Sequence, residues 1–265
     1  MSLDNQFKVH SEKIYRAAVR GAGHSSILYD AGIIDEPSVQ IFDPDFHRSS
    51  CTDYHTNQQP QQNNSSMEPA VGIGRARVVY FHYQGRDMVL KHYYRGGAVA
   101  RLMKDCYLGR DVESSRAFRE WRLLKKMRSL SLPVPDAVAA HVQAMMFCYR
   151  ADLITEKVAD SRTLADVLSE EALPPEMWSK VGACIGLFHR YDIYHADLNA
   201  RNILLTGNGK VYLIDFDNSY TRTGTTAWKM ENIARLKRSL SKFKKNTPGF
   251  NFDEDNWSAL LAGYR

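Results

Sequence analysis

His195-Ala-Asp-Leu-Asn-Ala-Arg-Asn202, with Asp215-Phe216-Asp217 following thirteen residues after the asparagine, is the stretch from which the fold can be read. Between the two lie apolar runs at Ile203–Thr206 and Lys210–Ile214, joined by Gly207-Asn208-Gly209, a strong turn signal for a short hairpin. A hairpin brings the loops at its two ends together, so Asp197, Asn202 and Asp215 form one set of oxygen donors. Phosphoryl transfer needs these groups: a carboxylate to orient or deprotonate an acceptor hydroxyl, and an amide and a second carboxylate to hold Mg²⁺ on phosphates. An isolated aspartate more often caps a turn. H-x-D-L-x-x-x-N with D-F at this spacing is far more specific than either aspartate alone.

Outward from this site the chain divides. Upstream, Val78 to Tyr83 and Met88 to Tyr94 are rich in β-branched and aromatic residues around the turn Gln84-Gly85-Arg86-Asp87, which predicts a hairpin. Ser115 to Leu130 has helical periodicity, ended by Leu132-Pro-Val-Pro135. Gln143 to Val158 reads as β, and helices are expected at Thr163–Leu168 and Pro175–Tyr191. β-rich first and α-rich second is an α+β arrangement of two lobes, 69–157 and 158–265, with a cleft expected between them. The polar run His47–Glu68 reads as a linker that sets residues 1–68 apart as an N-terminal extension.

The chain has 265 residues and a net charge of +5. Residues 1–70 are net −4 and the remainder net +9, so an anionic partner is expected for the part that carries the chemistry. No run approaches the ~18 apolar residues of a membrane span. The opening MSLDNQFKVH lacks the basic and apolar regions of a secretory signal, so a cytosolic chain is expected. Cys51, Cys106, Cys148 and Cys184 are widely spaced and read as buried free thiols.

With these motifs the chain resembles the protein-kinase-like superfamily. Gly72-Ile-Gly74 before the first hairpin resembles the glycine-rich phosphate loop, although Arg77 stands at the third glycine. Val89-Leu90-Lys91 resembles the strand lysine that contacts nucleotide phosphates. Glu120 lies three, four and seven residues before Leu123, Leu124 and Met127 on one helical face, where a carboxylate costs several kcal/mol unless paired. Lys91 is the partner that the resemblance implies, and Ile154 to Val158 the hinge whose backbone accepts adenine. Ala196 replaces the arginine that reads an activation-loop phosphate, Asn199 the catalytic-loop lysine, and Asp217 the glycine of D-F-G. Only forty-eight residues follow Asp217, without an A-P-E signature, which fits a small-molecule or sugar kinase better than a peptide kinase.

Six blocks are similar, in order, to the 3-deoxy-D-manno-octulosonic acid (Kdo) kinases of Gram-negative lipopolysaccharide assembly: Lys91 to Gly97, Arg116 to Glu120, Leu132 to Pro135, Tyr149 to Leu153, His195 to Asn202, and Leu213 to Asp217. Trp228 to Lys242 also matches, whereas residues 1–68 stand outside this similarity. The resemblance implies transfer of the ATP γ-phosphate to the 4-hydroxyl of Kdo on a lipid A precursor. It places the enzyme at the cytoplasmic face of the inner membrane, as a peripheral protein. It assigns Lys91, Gly72 and Gly74 to the nucleotide, Glu120 to holding Lys91, Asp197 to the acceptor hydroxyl, and Asn202 and Asp215 to magnesium. Lys229 to Lys245 carry seven Lys or Arg against one Glu231, a surface suited to an anionic glycolipid and bilayer. The similar excess in Arg116–Arg128 reads as a solvated helix face. Nucleic acid is not expected as a partner, since aromatic interleaving is sparse. A small atypical protein kinase and a membrane-associated pseudokinase acting as a binding module are the rival readings.

Overall fold

The computed structural model describes residues 11–19, 23–35, 37–50, 76–94, 106–109 and 111–265. It is an α+β chain of two compact units, residues 1–122 with 136–157, and residues 123–135 with 158–265. The first unit is β-rich. Its strands are β1 (Glu12–Val19), β2 (Gly23–Asp30), β3 (Ala76–Tyr83), β4 (Arg86–Tyr93), β5 (Tyr107–Leu108), β6 (Ala137–Ala144) and β7 (Cys148–Glu156). They form one antiparallel sheet in the order β1-β2-β6-β7-β4-β3, with β5 also pairing with β7. A 3-10 turn at Val39–Phe42 and helix α1 (Pro44–Ser50) follow β2. Ile41 and Phe42 join Phe81, Met88, Leu90 and Ile154 in a shared apolar core. Helix α2 (Arg116–Ser129) starts at Ser115, whose Oγ accepts from the Phe118 N–H at 3.4 Å.

The hairpin of β3 and β4 and the helix α2 lie where the sequence predicts them. Three features differ. The β-like run at 143–158 is two strands, because β6 begins at Ala137; its first six residues are all buried, so alternation never marks them as a strand. Residues 12–19 and 23–30, set apart by the sequence as part of an extension, hydrogen-bond into the sheet: β1 pairs with β2, and β2 with β6 from His24↔Ala144 to Tyr29↔Ala139. Backbone pairing of this kind needs no distinctive side chains, and a long polar stretch hides it. The reading of free thiols also needs correction, since Cys106 and Cys148 form a disulfide with their Cα atoms 5.6 Å apart. The pairing of β5 with β7 puts these two residues, 42 apart in sequence, within bridging distance. Cys184 is free and buried, and Cys51 lies outside the described residues.

The second unit is mainly helical. Its elements are β8 (Ser161–Thr163), α3 (Leu164–Glu170), α4 (Pro175–Arg190), β9 (Ile193–Tyr194), β10 (Ile203–Thr206), β11 (Val211–Leu213), β12 (Tyr220–Thr221), α5 (Ala227–Asn246) and α6 (Glu254–Tyr264). β10 pairs with both β11 and β8, and β9 pairs with β12. Pro175 opens α4 because its missing N–H would have had no helical partner there. Trp178, Val181, Ile185 and Phe188 give α4 its buried face.

α4 and α6 touch backbone to backbone. A Cβ on Gly182 would fall 1.9 Å from the Leu260 carbonyl oxygen, and one on Gly263 would fall 2.0 Å from that of Ser179. Neither backbone can yield without separating the helices. Gly182→Ala is therefore expected to destabilise the second unit by about 3 kcal/mol, the upper end of overpacking penalties. Denaturant titration would detect the loss, and an unchanged midpoint would refute this close packing.

Candidate active site

In the first unit β4 and α2 bring Lys91 and Glu120 together. Lys91 Nζ donates to Glu120 Oε2 at 2.9 Å and to Oε1 at 3.1 Å. The Tyr93 hydroxyl donates to Oε2 at 2.5 Å, and the Lys91 ammonium stands 4.6 Å from the Tyr93 ring centroid. The Glu120 side chain is only 3 % exposed, so its charge is held by these donors instead of water. The apolar periodicity of α2 predicts its burial, and the kinase resemblance its partner. Gly72 and Gly74 lie outside the described residues. In the expected hinge, the Glu156 N–H donates to Asp136 O at 2.9 Å and the Lys157 N–H to Asp87 O at 2.8 Å.

In the second unit, the loop between β9 and β10 is tied internally. His195 Nε2 lies 2.9 Å from the Ile214 carbonyl oxygen and must donate to it, which leaves Nδ1 to accept from the Asp197 N–H at 3.2 Å. Asn202 Nδ2 donates to the Asp197 carbonyl at 2.9 Å. The Ile214 N–H in turn donates to the Asn202 carbonyl at 3.0 Å, so Asp215 follows directly on a residue bonded to Asn202. Asp197, Asn202 and Asp215 are thus linked through short backbone connections, as the hairpin predicts. Asp215 has φ 61°, a left-handed conformation that Asp and Asn tolerate better than most residues.

The donor set suits Mg²⁺, a hard cation that takes oxygen ligands, commonly one or two carboxylates with the rest from water and phosphate. The bond from Asn202 to Asp197 uses the amide nitrogen, which leaves the amide oxygen as that side chain's ligating end. Among the described residues no cluster of three or more His, Cys, Asp or Glu could hold a metal.

Motif reading does not reveal what holds this loop from outside. α5 reaches it on three successive turns. Asn232 Nδ2 donates to the His195 carbonyl at 2.8 Å, Arg235 Nη2 donates to Asp197 Oδ1 at 2.6 Å, and Ser239 Oγ accepts from the Ala200 N–H at 3.3 Å. These three residues recur at helical spacing, so one face of α5 addresses the loop. Behind Asn232 the bonding continues. Its oxygen accepts from His189 Nε2 at 3.1 Å, and the Tyr264 hydroxyl donates to His189 Nδ1 at 2.8 Å. Each donor fixes the next, so the relay from α6 through α4 and α5 specifies a neutral His189 with its proton on Nε2. In the sequence Asn232, Arg235 and Ser239 fall within Trp228 to Lys242, which matches the Kdo kinases, but nothing local says that they hold this loop.

The lipopolysaccharide kinase (Kdo/WaaP) family model matches residues 68–264. A 3-deoxy-D-manno-octulosonic acid kinase of Vibrio vulnificus (strain YJ016) is 33 % identical over 242 residues, 91 % of this chain and 95 % of that relative. The kinase of the same name from Haemophilus influenzae (strain PittGG) is 37 % identical over 208 residues, 75 % of this chain and 86 % of the relative. The one from Actinobacillus succinogenes is 40 % identical over 185 residues, 68 % and 76 % respectively. Coverage of 91 % means that the similarity reaches back into residues 1–68, which the sequence motifs alone leave outside it.

The relay carries a pH dependence. Burial pulls His189 from 6.5 down to about 4, opposed by its bond to Asn232 and aided by the nearby Lys229 ammonium. The unfolded imidazole takes up a proton near 6.5 while the folded one stays neutral to about 4. Stability from this group is full above pH 6.5 and is lost as pH falls toward 4, by up to about 3 kcal/mol. Melting temperatures should fall across that window in the parent chain. They should fall less in His189→Gln, whose amide can still donate to Asn232.

Proposed function

The chain belongs to the lipopolysaccharide kinase (Kdo/WaaP) family, and we propose that it transfers the γ-phosphoryl group of ATP to the 4-hydroxyl of Kdo on a lipid A precursor. The observation that carries this reading is the loop on which Asn202 is bonded both to Asp197 and to the residue before Asp215. In the proposed mechanism Asp197 accepts the acceptor hydroxyl proton as that oxygen bonds to the γ-phosphorus. The bond from phosphorus to the β,γ-bridging oxygen breaks, and ADP leaves with that oxygen. Lys91, held by Glu120, places its ammonium on the nucleotide phosphates, and Gly72 and Gly74 are assigned to the same nucleotide by the family resemblance. Asn202 and Asp215 would hold Mg²⁺, which supplies neutralisation of phosphate charge when bound. Nearly all of the rate enhancement is positioning and electrostatics, because the protein forms no covalent intermediate.

We further place the protein peripherally on the cytoplasmic face of the bacterial inner membrane, without a role for nucleic acid. Among the described residues no helix is long and apolar enough to cross a bilayer. α5 presents Arg235, Arg238, Lys242 and Lys245 on an exposed face, at helical spacing. Each basic side chain near an anionic surface contributes about 1 kcal/mol. On α2 two of the six basic residues are taken up within the fold, as Arg122 pairs with Glu12 and Glu113, and Lys125 is buried.

Asp197→Asn should reduce phosphorylation of a Kdo-lipid acceptor by about a thousandfold with ATP binding retained. Mass spectrometry of the lipid would read the added phosphate and its position. Undiminished turnover would remove Asp197 from the mechanism, and label transferred only to protein would favour an atypical protein kinase. Replacing Arg238, Lys242 and Lys245 together by Glu should abolish flotation with phosphatidylglycerol vesicles, whereas equal binding would place the membrane surface elsewhere.

A further inference from the structure

Of the basic residues along α5, two are neutralised away from the loop. Lys229 Nζ lies 2.9 Å from Asp192 Oδ1, and Lys237 Nζ lies 2.8 Å from Glu254 Oε2. Arg235 instead reaches the carboxylate assigned above as the base, with Nη2 at 2.6 Å from Asp197 Oδ1. The second oxygen, Oδ2, accepts from Asn199 Nδ2 at 3.1 Å. Both oxygens of Asp197 therefore already hold a donor, and a third donor, the acceptor hydroxyl, has to take one of those places. The pair is open to solvent, with side chains 44 % and 53 % exposed, so a substrate can reach it. The position of Arg235 is not left to chance. Asn232, one turn before it, and Ser239, one turn after it, fasten α5 to the same loop, and Asn232 is buried.

A guanidinium carries five N–H donors in a rigid fork, and the bond to Asp197 uses one of them. That fork matches a carboxylate in two-point geometry, which a lysine ammonium does not reproduce. A sugar acid brings a carboxylate on the same molecule as the hydroxyl to be phosphorylated. We propose that Arg235 is a specificity-determining residue that reads the carboxylate of the acceptor and, in turning to it, frees Asp197 Oδ1 for the acceptor hydroxyl. An uncharged sugar would leave the guanidinium on Asp197, and the base would stay occupied. Recognition of the acid and release of the base are then one event. The inference rests on the sugar-acid reading of the preceding subsection.

The test compares one acceptor in two forms, the Kdo-containing lipid and its carboxamide, as kcat/KM for the full chain and its variants. The parent should prefer the acid by about 10- to 100-fold, the range for a lost hydrogen bond to a charged group. Arg235→Ala should lose most of its activity on the acid, raise the acceptor KM with the ATP KM unchanged, and treat acid and amide alike within about threefold. Arg235→Lys should recover only part of the preference. Lys244→Ala removes an exposed charge elsewhere on α5 and should keep the parent's ratio. If Arg235 only orients Asp197, both forms lose equally in Arg235→Ala and the preference persists, which overturns the proposal. A parent that does not distinguish the two forms overturns it as well. A parent inactive on the acid acceptor defeats the sugar-acid reading itself, and this one with it.

Discussion

The buried amide of Asn232 is the interaction on which the candidate site depends. Its nitrogen donates to the His195 carbonyl and its oxygen accepts from His189, so a side chain 2 % exposed joins the reactive loop to α4. A buried amide with one end unsatisfied would cost about 1–3 kcal/mol, so the arrangement is held in one geometry by the penalty for leaving it. His195 passes the constraint on through its ring, one nitrogen to Ile214 and the other to Asp197. The oxygen groups that would handle phosphate and acceptor are positioned by residues that touch neither.

The close contact of α4 with α6 serves the same end. With glycine at positions 182 and 263 the helices approach until backbone meets side chainless backbone, and Tyr264 comes within bonding range of His189. Packing and polar satisfaction support each other here. In the first unit the equivalent device is electrostatic: Glu120 is buried, and its charge is tolerated only because Lys91 and Tyr93 are bonded to it. Such a pair contributes little net stability but strongly disfavours any other position for the lysine, which is what a phosphate-contacting group requires.

Basic charge on α5 is divided between two purposes. Lys229 and Lys237 are tied to acids of their own unit, whereas Arg235 pairs with Asp197 and Arg238, Lys242 and Lys245 are exposed. A count of charges cannot separate these, because neutralisation depends on which acids the fold brings near. α2 shows the same point, since two of its six basic residues, Arg122 and Lys125, are paired or buried, which a count of charges does not reveal.

The sequence by itself determined the family resemblance and the order of most elements. His195 to Asn202, Asp215 to Asp217, the β3–β4 hairpin and the inward face of α2 were legible because they rest on local spacing, turn residues and periodicity; the cost of a buried charge required a partner for Glu120, and the kinase resemblance named Lys91. Tertiary structure alone decided the rest. The seating of β2 against β6, the Cys106–Cys148 bond, and the attachment of α5 to the loop at Asn232, Arg235 and Ser239 join residues far apart in the chain. None carries a local signature, because a backbone ladder, a thiol pair and an amide acquire their meaning only from what the fold places opposite them.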